Sequence, residues 1–274
     1  FWVPVVFLLA WVPIGGLTMS LLGSVSKPLP VRPVVMLEIG TKFTGLAGGG
    51  VTTFALQVRF FQKQGLKSAV AVNSSLLNSA ASGFTEVVFL VVALIFGAGS
   101  FSLNKGGSGG TSGLSGKILL AAIVLAVVAA VVFTIPRLRH RITKFLIPQI
   151  RAAREHLAAV MKNPRKGLQM LAGNAVSQLF YAIVLWAALH TYGESLGLMQ
   201  LIIINTLASI LGGIAPVPGG IGVIEAGLIG GFTAAGIPDQ QAIAATFTAR
   251  LFTAYLPPIW GWLSINWLRR RDYV

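Results

Sequence analysis

"APVPGGIGVIEAG", residues 215–227, places two prolines, a cluster of glycines and a carboxylate between two apolar stretches. Pro216 and Pro218 forbid a continuous helix through it. The arms on either side, residues 198–216 and 219–236, are each shorter than a comfortable tilted membrane crossing. The stretch therefore reads as the tip of a re-entrant helical hairpin. Lipid cannot satisfy backbone amides, so a break at membrane depth must face protein or a wet cavity.

Composition supplies the membrane. The chain is 55% hydrophobic and 10% charged, with a mean hydropathy of +0.80, which is more apolar surface than a water-soluble core of this length hides. Runs at 86–99, 118–135 and 199–215 approach the length of a helix crossing roughly 30 Å of hydrocarbon. The short alternating strands of a membrane barrel do not occur. The expected fold is an all-α integral membrane protein, a polytopic helical bundle. The chain opens at Phe1 inside an apolar segment, without an initiator Met or a basic leader, and is expected to be N-terminally incomplete. With no cysteine, disulfides and thiolate metal sites are excluded.

The basic residues orient the spans. Lys and Arg number 21 against 7 acids. Lys27, Arg32, Arg59, Lys63 and Lys67 follow the first helix on one face. A helix over about 68–97 crosses to the other face, where only Lys105 and Lys117 occur. The span 117–135 returns to Arg137, Arg139, Arg141, Lys144, Arg151, Arg154, Lys162, Arg165 and Lys166, and the last helix adds Arg269, Arg270 and Arg271. Seventeen cations thus lie on one face and two on the other, which makes the basic face cytoplasmic. A net charge of +14 is explained by this bordering of spans and by anionic headgroups rather than by nucleic acid. The expected organisation is a single domain over 1–274. Its first half, 1–97, leads through an extracytoplasmic Gly/Ser loop, 98–116, and the 117–135 span to a cytoplasmic basic amphipathic segment, 137–166. The second half is 167–274 and contains the hairpin 198–236.

A second break lies in the first half. In residues 33–65 a Pro-initiated arm runs to Gly48, Gly49 and Gly50, and a further arm runs to a turn at Gly65. Gly48, Gly49 and Gly65 match Gly219, Gly220 and Gly236 at a constant offset of 171. On this topology the hairpins 33–65 and 198–236 enter from opposite faces as an inverted-topology repeat, the sequence pointer to a transport site near the midplane. The competing reading is coincidence, since glycine is common in membrane helices.

Each second arm begins at its glycine break, so unpaired N–H groups and the positive end of a helix dipole point inward, an arrangement that favours an anion such as phosphate. Thr41, Thr44, Thr52 and Thr53 add hydroxyls near the first break. Asn174, Ser177, Gln178 and Tyr181 form a polar stripe at helical spacing, and Asn73, Ser74, Ser75, Asn78, Ser79 and Ser82 fill one helix start. Ordinary interhelical hydrogen bonding accounts equally well for any one of these. Glu225 and Arg250 each fall about 16 Å from the face that holds the Gly236 turn, so they are natural partners near the midplane. They either lock the hairpin or handle substrate. Glu38 and Lys42 are spaced as a helical i,i+4 pair, and Glu86 has no partner in sequence.

The stretch "PVPGGIGVIEAG", the turn at Gly236, Ile237 and Pro238, and Arg250 in the following helix resemble the lysylphosphatidylglycerol synthase transmembrane-region family, the flippase-like domain of the multiple peptide resistance factor. The most specific part runs through Pro216, Pro218, Gly219, Gly220, Gly222 and Glu225. The resemblance implies movement of a lipid between the leaflets of a bacterial cell membrane. The resemblance does not carry over the substrate; the expected cargo is an anionic or modified phospholipid or a polyprenyl-phosphate-linked lipid. This sequence departs from the family in carrying "AGGGVTT" where many relatives have a proline, and no aminoacyltransferase domain is expected after Val274. A membrane scaffold for a lipid-modifying or glycolipid-synthesis enzyme and an embedded lipid-modifying transferase are the alternatives. His140 and His156 lie in the basic segment, His190 at a helix end, and the acids in separate segments, so no catalytic constellation gathers. The expectation is a protein that is not an enzyme, with no cofactor or metal. Its partners would be anionic lipids and an upstream domain or lipid-synthesis enzyme, and its oligomeric state stays open.

Overall fold

The computed structural model describes residues 2–97, 163–215 and 217–274. The loop 98–116, the span 117–135, most of the basic segment 137–166 and Pro216 lie outside the described residues. Within them every regular element is helical, and Val3–Gly23, Ser68–Phe96 and Pro164–Thr191 are long and apolar enough to cross a bilayer. The protein is an all-α membrane protein.

The first span is two helices, α1 (Val3–Leu9) and α2 (Val12–Gly23). Pro13 has no N–H to offer the carbonyl four residues back, and the helix breaks there. Next, α3 (Val31–Lys63) is interrupted at Gly49, whose φ of 68° and ψ of −155° lie in a region that only glycine enters freely. In a straight helix, residues eight apart are separated by about 12 Å. Here Thr52 Oγ1 donates to the carbonyl of Thr44 at 2.6 Å and to that of Gly49 at 2.9 Å. The chain has therefore reversed, and α3 is a helical hairpin whose arms bring Val34 and Leu37 into one core with Phe60 and Phe61. The α4 helix (Ser68–Gly97) follows directly.

After α5 (Pro164–Thr191), the helices α6 (Leu198–Ile214) and α7 (Val223–Ala234) form a second hairpin around a 3-10 turn at Pro218–Gly220. The α5 helix starts three residues earlier than expected, so Arg165 and Lys166 sit in its first turn. Small residues hold the arms of the second hairpin together. A Cβ on Gly231 would stand 2.6 Å from Ile204 Cγ2, and one on Gly227 would stand 3.0 Å from Ala208 Cβ. Such close backbone approach is how apolar helices associate without a hydrophobic driving force.

Both hairpins end in the same turn. Gly65 N donates to Gln62 O and Leu66 N to Phe61 O, and 171 residues on Gly236 N donates to Thr233 O and Ile237 N to Phe232 O. This pairing closes a helix C-terminus with a left-handed glycine. Phe61 and Phe232, equivalent in the offset, are both fully buried. The helices that follow begin at Ser68 and, for α8 (Asp239–Arg250), at Asp239, again 171 apart. A π-turn over Leu251–Tyr255 leads into α9 (Pro257–Arg270).

α5 supplies the reference axis. Trp2 packs on Trp186 and His190 near its C-terminal end, and Lys166 Nζ donates to the carbonyl of Leu22 near its N-terminal end. The base of the α3 hairpin lies at the Lys166 end, where Lys27 Nζ donates to Gln64 O and Lys63 pairs with Asp272. At the other end Leu201, Phe232 and Ile237 share a core with Leu189. The hairpins thus enter from opposite ends of α5, and their tips meet, with Leu46 packed on Gly219. One apolar core closes each end of the bundle. The polar interior lies between them.

Candidate functional site

Where the tips meet they line an open cavity of about 460 Å³. Thr41, Lys42, Gly45, Gly49, Gly50 and Thr53 contribute from α3, Gly212, Gly219 and Gly220 from the second hairpin, and Arg250 and Thr253 from the α8 end. A second chamber of about 240 Å³ continues between α4, α5 and α8, where Glu86, Gln178, Tyr181 and Asn205 join the wall. Lys42, Ser209, Ile224, Arg250 and Thr253 line both chambers. Of the chain's basic residues, Lys42 and Arg250 are the two that border neither face in sequence, and both point at this shared wall.

The charges are held differently. Glu225, almost fully buried, accepts from Arg250 Nε at 2.6 Å, Tyr255 Oη at 2.8 Å and the backbone N–H of Gly222 at 2.6 Å. The last bond caps the N-terminus of α7 with the chain's own carboxylate. The helix start expected to hold an anion thus carries the chain's own carboxylate on one of its N–H groups, that of Gly222. Tyr255 reaches Glu225 beside Arg250 because the intervening turn is π. Leu256 N donates five residues back to Leu251 O, and Pro257 and Pro258 have no N–H to continue an α-helix. Five residues then make about one turn, which puts residues 250 and 255 on one side.

Lys42 Nζ donates to Tyr181 Oη at 3.1 Å, and Gln178 Nε2 donates to Glu86 Oε1 at 3.0 Å. Glu38 and Lys42 do not form the ion pair their spacing suggests. Lys42 turns to Tyr181 on α5 instead, and Glu38 Oε1 is buried without a hydrogen-bond partner. Among the described residues no three His, Asp or Glu side chains form a group able to hold a metal ion.

The chain matches the family described as Lysylphosphatidylglycerol synthase TM region over residues 1–261. It belongs to that family. None of the curated proteins matches it. The matched residues include every side chain on the two chamber walls, so the lysylphosphatidylglycerol synthase TM region contains the whole cavity.

The expected site residues divide within this family domain. Gly49, Gly50, Thr53, Gly219, Gly220, Lys42, Glu86, Gln178 and Arg250 converge on the chambers. Glu225 stands behind the wall and holds Arg250. Thr52 is spent on closing the first hairpin, where Gly48 also packs tightly against it. Gly222 supplies the N–H capped by Glu225, and Pro218 starts the 3-10 turn. Asn174 and Ser177 turn away. Asn174 Nδ2 donates to Ser20 Oγ at 2.7 Å, and Ser177 Oγ to Pro13 O at 2.8 Å, so both bind α2 to α5. Sequence reasoning passed over Ser209, Asn205, Thr253 and Tyr255. The Pro257, Pro258 pair was the signal available for Tyr255, since it dictates an altered turn immediately before it.

Proposed function

We propose that this protein moves a phosphate-bearing lipid, an anionic or modified phospholipid or a polyprenyl-phosphate-linked lipid, between the leaflets of the cell membrane, without acting as an enzyme. The observation that carries the reading is the meeting of two broken helices, from opposite ends of the bundle, around a cavity whose wall holds the two interior cations. Read in a bilayer, the hairpins are re-entrant and form an inverted-topology repeat, with the break at the midplane and the basic end at the cytoplasm. A cavity of about 460 Å³ falls within the roughly 300–1,000 Å³ range of ligand sites and suits a headgroup, with acyl chains left in lipid. Lys42 and Arg250 attract the phosphate, and the hydroxyls of Thr41, Thr53, Ser209 and Thr253 replace part of its water.

The test is lipid scrambling by the purified protein. Vesicles of phosphatidylcholine with fluorescent phosphatidylglycerol in both leaflets are treated with an impermeant quencher. Proteoliposomes should lose fluorescence beyond the outer-leaflet fraction, while empty vesicles stop at it. Loss that stops at the outer-leaflet fraction with protein present would refute the reading and leave a scaffold.

A further inference from the structure

Among the described residues Glu86 is the only carboxylate on either chamber wall. It differs from Glu225 in its partner: Glu225 is bound by a guanidinium, Glu86 by the neutral amide of Gln178. An ion-paired carboxylate loses its pair when it takes a proton, whereas one held by an amide can change charge without breaking a salt bridge. The charged and titratable groups that face Glu86 across its chamber are Lys42 from α3, Tyr181 from α5 and Arg250 from α8; α6 contributes Asn205 and Ser209, which do not titrate in water.

The charges decide when an anion fits. Glu225 offsets Arg250; Lys42 remains, with Glu38 one helical turn away on its own arm and Glu86 on the chamber wall as the carboxyls that can balance it. An ionised Glu86 offsets that charge too, and the chamber is balanced with no ligand present. A protonated Glu86 leaves one positive charge, which matches the single negative charge of a phosphodiester. Burying an unbalanced charge at membrane depth is costly, so an ionised Glu86 and a bound anion disfavour each other.

We infer that Glu86 couples the lipid path to protons: the carboxyl takes up one proton as the phosphodiester enters beside Lys42 and Arg250, and releases it as the lipid leaves. The proton moves from water to a Glu86 carboxylate oxygen and back, and no covalent bond of the lipid changes. This rests on the cavity being a lipid path, as proposed above. Lipid and proton then travel in the same direction. Glu38, one helical turn from Lys42 on the same arm, is absent from the chamber walls, so the exchanging proton is assigned to Glu86, and Glu38→Gln tests that assignment.

The experiment follows movement of fluorescent phosphatidylglycerol in proteoliposomes from pH 5.5 to pH 8. The lipid phosphodiester stays ionised over this range, so the protein alone supplies any pH dependence. The wild-type rate should fall as pH rises, approaching about tenfold per pH unit above the midpoint, as a single-proton step requires. Glu86→Gln should flatten the profile, and Glu38→Gln should leave its slope in place. Gln178→Leu keeps the carboxyl and removes its donor, so it should displace the midpoint even if Glu86→Gln does not fold. A wild-type profile that is flat, or one that Glu86→Gln and Gln178→Leu both leave unchanged, would overturn the coupling while lipid movement stands. No movement by wild type at any pH would remove the lipid path itself.

Discussion

Glu225→Gln isolates what the buried carboxylate does. Three donors converge on it: Arg250 Nε, Tyr255 Oη and Gly222 N. A carboxylate accepts from all three. The amide keeps one acceptor oxygen, which serves two of them, and turns its own NH2 toward the third. One donor is left without a partner, at about 1–3 kcal/mol. Arg250, whose side chain is 13% exposed, also keeps its charge without a counterion. Removing one partner of a buried pair costs about 3–5 kcal/mol. Because the amide oxygen still accepts from the guanidinium, the low end applies, and the expected loss is about 3 kcal/mol. Tyr255→Phe removes a donor and leaves none stranded, so it should cost about 0.5–1.5 kcal/mol. Reversible unfolding in mixed micelles, followed by tryptophan fluorescence, measures both. A Glu225→Gln protein within about 0.5 kcal/mol of wild type, or less destabilised than Tyr255→Phe, would refute this account of the cluster. A stable Glu225→Gln protein that still moves lipid at the wild-type rate would remove the charge from the mechanism.

Gly49→Ala forces a side chain into a backbone conformation that L residues avoid and should cost about 1–3 kcal/mol, whereas Gly50→Ala, in open space on a helix, should be neutral or gain up to about 1 kcal/mol; equal effects in the same unfolding assay would deny the reversal at Gly49. Gly231→Ala drives a methyl into Ile204 and should destabilise by about 1–3 kcal/mol, while Gly230→Ala meets nothing. Single cysteines in this Cys-free chain at positions 194 and 272 should label from opposite sides of the membrane with an impermeant reagent, and labelling of both from one side would overturn the opposed hairpins. Spin labels at 67 and 239, just past the two hairpin bases, should lie some 30–40 Å apart, the span of a membrane helix; a separation under about 20 Å would place both bases at one end.

What the sequence determined by itself was local: apolar length set the membrane class, and proline and glycine set the two breaks. These follow from backbone chemistry and solvent, which act on a segment whatever its neighbours are. The 171-residue offset also emerged from glycines alone, because each closing turn needs its own left-handed residue. Pairing of Glu225 with Arg250 was legible because equal counts from one turn fix equal depth. The partners of the other polar residues depended on the rotation of each helix about its axis, and only packing decides that. Spacing joined Glu38 to Lys42, yet α5 brings Tyr181 to Lys42 and leaves a Glu38 oxygen alone. The stripe of Asn174, Ser177, Gln178 and Tyr181 was one pattern in sequence and is two in space, since a helix between two neighbours serves both. The first pair binds α2 and the second faces the chambers. Contact between the two tips, and hence the cavity, joins residues some 170 positions apart; no local rule reaches that far, and only the tertiary fold puts Lys42 and Arg250 on one wall.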